Sequence, residues 1–131
     1  MNGRRAGIGK STIDALFEMA RSEHQKARGK DTTKQELIDE IDLLLKIEPL
    51  QSLGKDSMDF LVDFFKQIKR GFLGLNFNPS DKGIVKAIGL IKKTVTLDSI
   101  SEDETEKFNF WAGMLTSLVE SRKKESRSNW R

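Results

Sequence analysis

Five stretches of this chain repeat apolar side chains at the i, i+3, i+4, i+7 spacing of an α-helix. No stretch alternates apolar and polar residues around a hairpin turn. This pattern limits the fold more than any other feature. A helix with one apolar stripe must bury it against another helix, so the chain is expected to be all-α, a compact bundle of about five helices.

The start and stop signals divide the stripes. Ser11 suits a helix start, Ile13, Leu16, Phe17 and Ala20 share a face, and Gly29 stops a helix that runs to about Arg28. Thr33 and Glu36 have the spacing of a capping box, in which each side chain satisfies the other residue's free N–H. Leu37, Ile38, Ile41, Leu44 and Leu45 follow on one face, and Pro49 ends that helix at about Ile47. A third helix is expected from about Asp56-Ser57 to Arg70-Gly71, striped by Met58, Leu61, Phe65 and Ile68. Phe60, Val62 and Phe64 widen its apolar arc, which fits the centre of a core or a face shared in a homodimer. A fourth starts at Pro79 or Ser80, with Ile84, Ile88, Ile91 and Val95 in line. The β-like run Thr94 to Leu97 reads as its end. The fifth opens with a second capping box, Ser101 and Glu104, and carries Phe108, Trp111, Leu115 and Leu118, with Phe110 and Met114 beside them.

The expected organisation is a flexible basic arm at 1–10, one helical domain at 11–124 and a basic tail at 125–131. The 131 residues suffice for one core. The chain has no cysteine, which excludes disulfides, thiolate metal ligation and a cysteine nucleophile. One histidine excludes a multi-histidine metal site. No cofactor and no metal are therefore expected. No apolar run approaches the ~20 residues of a membrane span, and no apolar leader is read at the N-terminus. An intracellular, cytoplasmic protein is the expectation.

The stretch GRRAGIGKST (3–12) resembles half of a phosphate-cradling loop. Gly9-Lys10-Ser11 fits the end of G-x-x-x-x-G-K-[ST], but Arg4 stands where the first glycine belongs. The loop also needs a preceding buried strand, and only three residues precede Arg4. The stretch is instead read as a basic arm leading into a capped helix, whose N-terminus with Arg4, Arg5 and Lys10 suits an anion. A nucleotide hydrolase stays a distant third. The stretch RGFLGLNF (70–77) partly matches an RNA-stacking strand. Gly74 occupies an aromatic position, and the residues before it are helical. It is read as a helix end, with Gly71 in the left-handed position and Phe72 packed back.

Charge alternates along the chain. Residues 1–30, 78–97 and 121–131 are basic, while 32–50 and 98–120 are acidic, within a net charge of +3. Lys82, Lys86 and Lys93 share the polar face of the fourth helix, with Lys92 nearby. Lys66, Lys69 and Arg70 end the third. The tail adds Arg122, Lys123, Lys124, Arg127 and Arg131. Such patches fit sequence-independent contacts to phosphates. They also fit ordinary solvated faces and dipole-friendly helix ends.

The carboxylates Asp39, Glu40, Asp42 and Glu102, Asp103, Glu104, Glu106 are read as solvated faces. His24 is read as exposed in a polar run, and no enzyme is expected. A membrane surface is not an expected partner: DFFKQIKRGFLGLNF comes nearest, but Asp56, Asp59 and Asp63 weaken it. The leading expectation is a small nucleic-acid-binding or nucleoprotein-associated factor, with RNA ahead of DNA. Its contacts would come from Arg4, Arg5, Lys10, Lys66, Lys69, Arg70, Lys82, Lys86 and Lys93. The alternative is a protein–protein adaptor, of the kind a virus or phage directs at a host protein, with Phe110 and Trp111 as partner contacts.

Overall fold

The computed structural model describes residues 12–128. They form α1 (Thr12–Arg28), α2 (Lys34–Leu44), a 3-10 helix (Glu48–Leu53), α3 (Lys55–Phe72), α4 (Asp81–Thr94) and α5 (Glu102–Ser128). There is no strand among the described residues, and the architecture is an all-α bundle.

Local chemistry sets most boundaries. At α2 the Glu36 N–H donates to Thr33 Oγ1 at 3.1 Å, and the Thr33 N–H donates to Glu36 Oε1 at 2.9 Å. At α5 the Glu104 N–H donates to Ser101 Oγ and the Ser101 N–H to Glu104 Oε1. Both capping boxes therefore form as their spacing implies. Ser80 caps α4 by accepting from the Gly83 N–H. Gly29 takes a φ of 68° directly after α1, which a residue with a Cβ adopts only at a cost.

The end of α3 departs from the sequence reading. Gly71 is helical and buried, and the left-handed residue is Gly74, at φ 101°. The Gly74 N–H donates to the Gly71 carbonyl, and the Leu75 N–H donates to the Arg70 carbonyl at 2.9 Å. These two bonds are a Schellman cap three residues later than expected. The reason is packing: a Cβ on Gly71 would stand 2.7 Å from Ile13 Cδ1 and 2.9 Å from the Phe77 Cβ. Gly71 is there for close approach, and Gly74 for the turn. Phe72 is buried, but against Phe17 of α1. The 3-10 helix was not expected. α2 ends at Leu44, three residues before the expected Ile47, and Pro49 lies in the first turn of a short 3-10 helix that buries Leu50 and Leu53. The Thr94 to Leu97 run is a helix end as read, with the buried Thr94 hydroxyl donating to the Leu90 carbonyl.

α3 lies at the centre, touching α1, α2, α4 and the 3-10 helix. Leu61, Phe65 and Ile68 are fully buried. Phe65 meets Phe108 and Trp111 of α5 edge to face, at 6.4 and 5.7 Å between ring centroids. Burying each such side chain is worth about 1.5–3 kcal/mol before conformational entropy is counted. α5 closes the bundle against α1, α2 and α4. It continues to Ser128, so the backbone stays helical across the tail boundary expected at 124.

Candidate nucleic-acid interface

The packing decides which basic residues can act together. At one end of the bundle, α1 begins against the end of α3: Ile13 lies on Gly71, and Phe17 meets Phe72 at 6.1 Å. The connection from α3 to α4 folds back there, with Phe77 edge-on to Phe64 at 6.0 Å. Arg122 of α5 binds the same end together. Its guanidinium donates to the Pro79 carbonyl at 3.0 Å, to Asp81 Oδ1 at 2.9 Å and to Thr12 Oγ1 at 3.0 Å. The start of α1, the end of α3, the start of α4 and the last turns of α5 therefore form one surface.

The exposed basic residues on these elements are Lys66 and Arg70, one turn apart in the last two turns of α3, Lys82 in the first turn of α4, and Lys123 next to Arg122 on α5. Among the described residues, no carboxylate forms an ion pair with Lys66, Arg70 or Lys82. Lys86 stands one turn further along α4, with its ammonium 4.3 Å from the Phe60 ring centre, a contact that holds the charge in place without neutralising it. Acidic groups are present too. Asp81 is taken by Arg122, Asp63 accepts from Gln67, and Asp14 and Glu120 lie on α1 and α5.

Other expected residues fall elsewhere. Lys69 is on the α2 side of α3, half-buried in an ion pair with Asp42, and is spent inside the fold. Lys93 sits at the opposite end of α4, two turns beyond Lys86. Arg122 is a clamp between elements and not a free cation. Arg4, Arg5 and Lys10 lie outside the described residues.

Of the two expected partner contacts, Trp111 is fully buried. Its indole N–H donates to Glu40 Oε1 at 3.0 Å, so it is a core residue and presents no surface. Glu40, read as part of a solvated face, is that indole's acceptor. Phe110 is half-buried, edge-on to Trp111 at 5.9 Å and to His24 at 5.2 Å. His24 is thus packed and not exposed; its partner lies in α5, far away in sequence. Phe110 lines a groove of about 350 Å³ between α1 and α5, with Met19, Met114 and Gly113.

Among the described residues, the titratable pair whose pKa values are clearly displaced is Arg21 with Asp31. The Arg21 guanidinium donates to both oxygens of Asp31, at 2.8 and 2.7 Å. These bonds, with one from the Thr32 N–H, hold the Asp31 carboxyl down to about 2 and raise Arg21. Both groups are exposed, and the pair joins α1 to the segment before α2. Among the described residues no helix is long and apolar enough to cross a membrane. No protein-family description, curated protein or solved structure matches this chain.

Proposed function

We propose that this protein binds nucleic acid, RNA ahead of DNA, through the basic end of the bundle. The observation that supports the reading is that the end of α3 adjoins the start of α4, and that Lys66, Arg70 and Lys82 on them are exposed and have no ion pair among the described residues, with Lys86 one turn along α4. Cations spaced along two adjoining helices fit a chain of phosphates better than one small anion. No base-edge readout is invoked, so binding is largely independent of sequence. Lys69 and Lys93 play no direct part. Arg4, Arg5 and Lys10 precede α1, which begins at this end, and remain part of the proposal. A nucleic-acid partner implies work inside the cell, in the cytoplasm.

The test is binding to labelled single- and double-stranded RNA and DNA at two salt concentrations. Four phosphate contacts on a single strand predict a loss of about 50-fold between 50 and 200 mM salt. Lys82→Glu with Lys86→Glu should remove binding and leave the helical spectrum intact. Binding that ignores both salt and these substitutions rejects the reading.

One observation favours a second reading. Phe110 and the α1–α5 groove offer a partly apolar surface that a protein partner could use, as an adaptor of viral or phage origin would. Binding of that kind would respond to Phe110→Ala and not to the lysine substitutions.

A further inference from the structure

We infer that the nucleic acid held at the basic end carries unpaired bases, and that Leu73 and Leu75 lie against them. This rests on the nucleic-acid reading above and names its substrate class. Leu73 is 66% exposed and Leu75 59% exposed, on either side of Gly74. One exposed leucine is ordinary, but two on the same tight turn are not accounted for by folding. In a Schellman cap, the residue after the left-handed position usually packs back on the last helical turn. Here that turn offers Arg70 and Lys69, so Leu75 finds no apolar cover. The backbone bonds from Gly74 to Gly71 and from Leu75 to Arg70 tie the turn down. The two side chains are therefore held outward by a fixed frame, three and five residues after Arg70 and about two helical turns beyond Lys66.

Charge complementarity selects the occupant. A strand whose phosphates meet Lys66, Arg70 and Lys82 brings its bases to this tip. An intact duplex turns polar base edges and phosphates outward and gives two leucines little to cover. An unpaired base has an apolar face. Unstacking a base costs a few kcal/mol in a duplex and least where it is already unpaired. Aliphatic side chains can cover such a face without choosing among bases, in keeping with phosphate-led binding.

The experiment compares a labelled single-stranded RNA with a fully paired hairpin of equal length, using the full chain and a Leu73→Ser/Leu75→Ser variant. Both leucines are exposed, so the variant should keep its circular dichroism spectrum. The full chain should bind the single strand about tenfold more tightly, as expected where bases cover part of the apolar area of two leucine side chains. The variant should lose that preference through weaker single-strand binding, with hairpin affinity and salt slope unchanged. Equal binding of both RNAs by the full chain, or a preference that survives in the variant, overturns the inference while the nucleic-acid reading stands. No binding to RNA or DNA at 50 mM salt overturns both. Binding to phosphatidylserine vesicles without binding to RNA or DNA, and lost in the leucine variant, also overturns both in favour of a lipid surface.

Discussion

Gly71, Gly89 and Gly113 are all helical glycines, yet they should respond in opposite ways to alanine. A Cβ at Gly71 meets Ile13 and Phe77 below 3.0 Å, whereas one at Gly89 or Gly113 meets nothing within 4 Å. Gly71→Ala should destabilise by about 1–3 kcal/mol through overpacking, outweighing its gain in helix propensity. Gly89→Ala should stabilise by about 0.5–1 kcal/mol. Urea denaturation midpoints of the two variants check both signs. At the same scale, Asp31 should titrate near pH 2 by NMR, below the ordinary carboxylate range near ~3.9. Its folded form is stabilised as the carboxylate. The contribution is present above the unfolded value and is lost as pH falls through about 2. Arg21→Ala should move the midpoint back toward the ordinary range, with the Thr32 bond retaining part of the shift.

Helix boundaries follow from caps more than from stripes, and here the sequence was most readable. Thr33 with Glu36, Ser80, and Ser101 with Glu104 cap where their spacing says they should, because a capping bond is local. Thr33→Ala and Ser101→Ala should each lower stability by about 1 kcal/mol, read from thermal unfolding. The end of α3 was misread for the opposite reason. Gly71 and Gly74 both follow a helical stripe, and what excludes a side chain at Gly71 is tertiary packing, against Ile13, 58 residues earlier, and the returning Phe77. Trp111 is buried as its place on the α5 stripe implies, and its alternative role as a partner contact fails because its indole is taken up by Glu40, which nothing near it in sequence announces. Glu40→Ala should leave that buried N–H unpaired and cost about 1–3 kcal/mol, with a shift in Trp111 fluorescence as a second readout.

For the whole molecule, charge alternation along the sequence says that basic segments exist but not where they meet. That depends on which helix ends adjoin, and it is decided by Gly71 under Ile13 and by Arg122 across Pro79, Asp81 and Thr12. Packing separates the lysines that share a sequence pattern: Lys69 pairs with Asp42, Lys93 lies at the far end of α4, and Lys66, Arg70 and Lys82 stay exposed in the last turns of α3 and the first turn of α4. The central claim is that this surface, and not positive charge in general, binds nucleic acid. The most direct measurement is affinity for one single-stranded RNA, at 50 and 200 mM salt, of the unaltered chain and two equally charged variants. Arg70→Glu/Lys82→Glu alters the basic end, and Lys92→Glu/Lys93→Glu alters the opposite end of α4. The account predicts that the first variant loses at least about tenfold in affinity and shows a flatter salt slope, while the second stays within about threefold. Equal losses in both variants, or a larger loss in the second, would contradict it.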